Sequence, residues 1–199
     1  AITVASNATL GGPGNLTLSG AVSTSTFGIA FVGRGNFTLN NAANSIATIG
    51  AATAASIGSL SLVNNRDLTI GSVTVNAVAY NVLNSTGTVS ITANSNSTTT
   101  AITSAVAMSA NSLSLNGTST TATTVVSLTG AITINAGGSN LSVTANNSSA
   151  GSNTGISSTG TITNNGTIST SDTGSLVTNS AALSLAAGST TSANQITAT

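Results

Sequence analysis

The chain has 199 residues, of which four are charged (Arg34, Arg66, Asp67 and Asp172), and its formal net charge is zero. It has no His, Cys, Lys, Glu or Trp, which removes the usual general bases, the thiolate and imidazole metal ligands and the paired carboxylates of glycoside hydrolysis. The basic stripe required for nucleic acid is missing too, so the expectation is a non-enzyme with no cofactor, no metal and no nucleic-acid partner. Charge is 2% of the residues, against about 25% in an ordinary soluble domain. Ser, Thr and Asn take its place, with abundant Val and Ile and a single proline, Pro13. Disordered chains lack β-branched residues and carry charge; this composition suits strands.

One pattern recurs along the chain: apolar, hydroxyl, apolar. It runs Leu16-Thr17-Leu18, Phe37-Thr38-Leu39, Leu60-Ser61-Leu62, Leu68-Thr69-Ile70 and Val89-Ser90-Ile91. It continues as Leu113-Ser114-Leu115, Ile132-Thr133-Ile134, Leu141-Ser142-Val143, a weaker Ile162-Thr163-Asn164, and Leu183-Ser184-Leu185. Alternation of period two marks a half-buried strand, with positions i and i+2 on one side. The apolar members of the triplets (Ile162 aside) are therefore the predicted core, and the Thr and Ser between them the predicted exterior. Four steps between triplets (16→37, 68→89, 141→162 and 162→183) are each 21 residues, and 37→60, 89→113 and 113→132 are 23, 24 and 19.

A fixed period near 20 residues predicts stacked coils. A sandwich would place hairpin turns between strands every 8–12 residues; Asn116-Gly117 and Asn165-Gly166 fit that, but the long recurrence fits it less well. The expected fold is all-β, a parallel β-helix (β-solenoid) of about nine or ten coils of roughly 21 residues, and a rod of roughly 45 Å. It forms one domain over 1–199, irregular over about 1–35 and regular from 36 on. The second triplets at 60→68 and 132→141 fit strands on successive faces of one coil. Asn40-Asn41, Asn64-Asn65, Gly137-Gly138 and Asn146-Asn147 are the expected corners, where the backbone needs positive φ. The chain opens at Ala1 with neither an initiator Met nor a signal segment, so it reads as a piece of a longer precursor. No apolar run approaches the roughly 18 residues of a membrane span.

Several stretches resemble the repeats of filamentous-haemagglutinin-type exoproteins. They are Asn44 to Ile49, Gly58 to Leu62, Asn65 to Val73, Gly87 to Thr92, Gly130 to Asn135 and Asn140 to Thr144. The resemblance covers roughly residues 15–190. It implies a long right-handed parallel β-helix, secreted and displayed at the cell surface as an adhesin. The family's secretion motif has no counterpart here, and the opening around Pro13 departs from a plain repeat.

The remaining candidates each carry a plain alternative. Asn36, Asn84, Asn116 and Asn165 head Asn-X-Ser/Thr sequons and are candidate glycan acceptors, in a chain whose composition scatters such sequons freely. The Thr/Ser column (Thr17, Thr38, Ser61, Thr69, Ser90, Ser114, Thr133, Ser142, Ser184) is either an ordinary solvent-facing row or a flat face binding sugar or ice. Arg66-Asp67 reads as a solvated corner, since neighbours on a strand point to opposite sides. Asp172 has no acidic neighbour to build a calcium site. Phe27 and Phe31 are core residues or a contact between subunits. The overall expectation is a structural module of a secreted fibre that self-associates into a filament, with a host or surface glycan as the other candidate partner.

Overall fold

The computed structural model describes residues 1–51, 56–95, 100–119, 124–130, 132–134 and the strands beyond. Side chains are described as far as Thr133, Thr124 excepted. The fold is all-β: parallel strands stack into a β-solenoid. No helix among the described residues is long and apolar enough to cross a membrane.

Eight strands stack on the first face: Leu16–Thr17, Asn36–Leu39, Ser59–Asn64, Thr88–Asn94, Ser112–Ser119, Asn140–Asn147, Thr167–Ser171 and Thr191–Ser192. Their register superposes Leu16, Phe37, Leu60, Val89, Leu113, Leu141, Ile168 and Thr191. Burial alternates residue by residue; in Ser112–Ser119 every second residue is buried and every other one half-exposed. The cause is local: a pleated strand turns successive side chains to opposite sides, and only one side meets the core.

A second face follows with Leu68–Ile70, Ile102–Ser104, Thr124–Leu128, Gly155–Ser158, Ser175–Thr178 and Ile196–Ala198. A third carries Val82–Asn84, Ala107–Ala110, Ile132–Ile134, Ile162–Asn164 and Leu183–Leu185. Both belong to one 14-stranded sheet joined through Thr48–Ala51, which pairs parallel with Leu68–Ile70 and, at Ala51, antiparallel with Val82. At the N-terminal end the first coil consists of Ile2–Thr3, Ala8–Gly11 and Leu16–Thr17. The second consists of Val22–Ser23, Gly28–Val32 and Asn36–Leu39, and lies against the first in parallel register.

Three strands per coil correct the expected repeat. Triplets of the same type occupy all three faces, so equal spacing in sequence is not equal position around the coil. Leu68 and Ile132 lie on the second and third faces, and the steps 68→89 and 141→162 pass from face to face. On the first face the superposed residues are 21, 23, 29, 24, 28, 27 and 23 apart, which gives eight strands rather than nine or ten coils. Seven spacings of about 4.8 Å make a stack of roughly 34 Å.

The core is one continuous column. Phe37, Leu39, Leu60, Leu62, Leu68, Ile70, Val89, Ile91, Leu113, Leu115 and Ile132 are all buried, while Leu16 and Leu18 at the N-terminal end are half-buried. The side chains of Ile134, Leu141, Val143, Leu183 and Leu185 lie outside the described residues. Each buried aliphatic contributes roughly 1.5–3 kcal/mol.

The corners are built differently from the expectation of positive φ. The described non-glycine residues with positive φ are Ser25, Asn76 and Ala77, so Asn40, Asn41, Asn64 and Asn65 are not among them. Asn146 and Asn147 lie within a strand, and Gly137 and Gly138 fall outside the described residues. Asn44 and Asn64 instead turn their amides into the core, both fully buried. Asn44 Oδ1 accepts from Val22 N at 2.8 Å, and its Nδ2 donates to Leu39 O at 2.7 Å and Val63 O at 2.9 Å. Asn64 Oδ1 accepts from Ile46 N at 2.8 Å, and its Nδ2 donates to Ile46 O at 3.0 Å and Arg66 O at 3.1 Å. A corner interrupts the strand ladder, and a buried amide meets the backbone groups left there.

Gly14, Gly35, Gly58 and Gly87 precede the first four strands of the first face and stack on one another. A Cβ at Gly35 would collide with the Gly14 carbonyl, and one at Gly87 would lie 2.7 Å from Gly58 O. Only glycine lets the chain pass so close to the coil below.

The repeat departs furthest from regularity between the second and third faces of the fourth coil. There Val73–Val75 and Val78–Tyr80 form an antiparallel hairpin, with Val73 opposite Tyr80 and Val75 opposite Val78. Its two-residue turn is Asn76-Ala77, with φ of 48° and 63°, as a tight hairpin whose twist matches its strands requires.

Candidate binding surfaces

The outward triplet residues form continuous columns. On the first face Thr17, Thr38, Ser61, Ser90, Ser114, Ser142, Ser169 and Ser192 stand in register, a hydroxyl residue in every strand. Thr17 is exposed and Thr38, Ser61, Ser90 and Ser114 are half-exposed; the side chains of Ser142 and Ser184 lie outside the described residues. Thr69 sits in a second column with Thr48, Thr103, Ser127 and Ser157. Thr133 sits in a third with Asn84, Ser109, Thr163 and Ser184. All three faces therefore carry the same chemistry.

Part of that polarity is used within the rod. Ser59 Oγ donates to Asn36 Oδ1 at 2.8 Å, Ser61 Oγ to Asn40 Oδ1 at 2.9 Å and Ser109 Oγ to Asn84 Oδ1 at 2.9 Å. Each bond links neighbouring coils along the axis. Stacked hydroxyls and amides can bond in this way, whereas stacked like charges would repel.

Three of the four sequon asparagines fall inside the ladders. Asn36 opens a first-face strand, pairs with Ser59 and donates its own N–H to Asn15 Oδ1 at 3.1 Å. Asn84 pairs with Ser109 on the third face, and Asn116 lies in register between Thr92 and Thr144. Asn165 and Asp172 lie outside the described residues.

Arg66 and Asp67 occupy the turn before Leu68–Ile70, so strand alternation does not separate them. Arg66 Nε stands 3.7 Å from Asp67 Oδ1, with the two side chains 31% and 53% exposed. That pair contributes little in solvent. The stronger contact is Arg66 Nη1 donating to Ser25 O at 2.6 Å, across 41 residues of chain. It ties a corner of the fourth coil to a corner of the second. Arg66 Nε itself is buried without a hydrogen bond.

Phe31 is fully buried and packs on Phe37, ring centroids 5.1 Å apart at 50°. Edge-tilted packing at that separation is the favoured aromatic geometry. A residue sealed in the core cannot form a subunit contact, which corrects that reading of Phe31. Phe27, on the turn after Ser25, is 36% exposed.

Sequence reasoning missed the hairpin. The exposed large hydrophobic residues of the described chain are Ile2 at 44%, Phe27 at 36% and Val78 at 52%. Val78 lies beside the hairpin turn. Gly71 to Tyr80 reads as one more alternating strand, and Asn76-Ala77 is a weaker turn signal than Asn-Gly. The available cue was the 29-residue step from Leu60 to Val89, the longest on the first face.

No family model matches the chain, and neither a curated protein nor a solved structure is similar to it.

Proposed function

We infer that the chain is a structural, non-catalytic β-solenoid segment of an extracellular or cell-surface fibre, in which rods stack end to end. The observation that carries this reading is the like-on-like column: aliphatic inside, hydroxyl or amide outside, with almost no charge. Such a stack draws its stability from a continuous core and from axial hydrogen bonds, both nearly independent of salt. A strand edge left unpaired at the end of any such stack favours further pairing. The resemblance of its repeats to secreted exoproteins supports reading the fibre as extracellular, with an adhesin stalk as its setting.

Negative-stain electron microscopy of the concentrated 199-residue chain tests the reading. Fibres or head-to-tail chains are expected; particles that stay single at every concentration would sink it. A second reading, a glycan-binding module, is favoured by the hydroxyl column of the first face, Thr17, Thr38, Ser61, Ser90 and Ser114. A glycan array showing saturable binding that Ser61→Ala and Ser90→Ala both remove would carry it.

A further inference from the structure

Two arms leave the fourth coil, one at each end of Leu68–Ile70, and both reach the second coil. Between them lies Thr48–Ala51 of the third coil, paired in parallel with Leu68–Ile70 on one side and with Gly28–Val32 of the second coil on the other. The first arm is the side chain of Arg66, two residues before the strand. Its Nη1 donates to Ser25 O at 2.6 Å, and a charged donor makes the stronger kind of hydrogen bond. Ser25 holds a φ of 50° in the turn that Phe27 N closes on Thr24 O at 2.8 Å, so its carbonyl stands at a fixed corner of the second coil.

The second arm is the hairpin. It begins at Gly71, directly after the strand, where Gly71 N donates to Ile49 O at 2.9 Å. It then turns back over the third coil: a Cβ at Gly50 would lie 2.8 Å from Gly71 O and 2.5 Å from Tyr80 O. Val73, fully buried, reaches the second coil, where a Cβ at Gly28 would lie 2.6 Å from its Cγ2. Asn7 fixes this contact with both ends of its amide. Its Nδ2 donates to Thr74 O at 3.0 Å, and its Oδ1 accepts from Gly28 N at 2.7 Å. The bed is paved for the purpose. Gly28, Ala30 and Gly50 are buried although they alternate with the core residues Ile29, Phe31, Ile49 and Ala51: small residues on the outer side leave room for the hairpin to lie on them.

The arms end three residues apart, at Ser25 and Gly28. One is a charged hydrogen bond at a partly exposed corner, the other apolar packing with an amide beside it, and neither belongs to the ladder of the solenoid. In a stack of coils each unit ordinarily touches its neighbours alone, so stability is a sum of nearest-neighbour terms and interfaces can open one at a time. Here the fourth coil holds the second across the third. Opening the third coil from either neighbour breaks both arms. We propose that the arms form a clamp, which closes the third coil between its neighbours and makes coils two to four open as one unit. The clamp belongs to the single chain and does not depend on how rods assemble. It turns a stretch that would unzip coil by coil into a block whose interfaces fail together.

Native-state amide hydrogen exchange tests this, with protection factors read by NMR at Ile29 to Val32 in the second coil and Leu68 to Ile70 in the fourth. In the wild-type chain the two sets should agree within about threefold. With Arg66→Ala and Val73→Ser combined they should diverge roughly tenfold or more, since a charged hydrogen bond alone accounts for about that factor. Val89→Ala is the control: Val89 is buried on the first face of the fourth coil, at neither arm, so its loss should lower both sets together. The milder single variants Arg66→Gln and Asn7→Ala should give the same divergence at smaller size, and far-UV circular dichroism checks that every variant folds. Arm variants that lower both sets together, as Val89→Ala does, would overturn the clamp. So would wild-type sets that already differ by more than about threefold.

Discussion

Replacing Asn64 by Ala isolates what the buried corner amide contributes. The side chain is fully buried and makes three hydrogen bonds, one accepted from Ile46 N and two donated to Ile46 O and Arg66 O. Ile46 is itself fully buried, so water does not replace the lost partner at either of its groups. Each buried group left unmet costs about 1–3 kcal/mol. Two such groups and a small void give an expected loss of roughly 3–5 kcal/mol, and a fall in Tm of about 10 °C. The neighbouring Asn65 is exposed, so Asn65→Ala should change stability by less than about 0.5 kcal/mol. Urea and thermal unfolding followed by far-UV circular dichroism measure both. A loss at Asn64 within about 1 kcal/mol of that at Asn65 would refute the argument that buried amides hold the corners.

Three further outcomes are expected. Leu115→Asp should abolish cooperative unfolding, because the site is fully buried. Its half-exposed neighbour Ser114→Asp should cost less than about 1 kcal/mol in the same melt, and equal damage would overturn the assignment of sides. Gly35→Ala should destabilise by roughly 2–4 kcal/mol, because the new methyl meets the Gly14 carbonyl and forces the first two coils apart; a melt unchanged within error would show that the end coil yields freely. Ala77→Gly should raise stability by about 0.5–1 kcal/mol, since φ of 63° is unfavourable for alanine and open to glycine, and limited proteolysis at the turn should slow in step.

The triplets carry the in-and-out assignment because alternation is a property of the strand itself. Residues such as Leu60, Leu62, Val89 and Ile91 are apolar where their strand turns inward, whatever coil surrounds them. Near-absence of charge likewise sets the surface chemistry before any folding. The face to which a triplet belongs depends on how many residues each corner consumes. Leu68-Thr69-Ile70 and Leu60-Ser61-Leu62 look alike, yet lie on different faces because Asn64 folds its amide inward and the chain turns there.

The hairpin is less legible still. Gly71 to Tyr80 alternates like any strand, and only the small outer residues Gly28, Ala30 and Gly50, some 20–50 residues earlier in the chain, make a bed for it. Local pattern alone determines strand, side and polarity, since those follow from backbone geometry within a few residues. Coil count, corner chemistry and the packing of the hairpin were decided by tertiary structure, because each depends on contacts between coils that no single stretch of sequence contains.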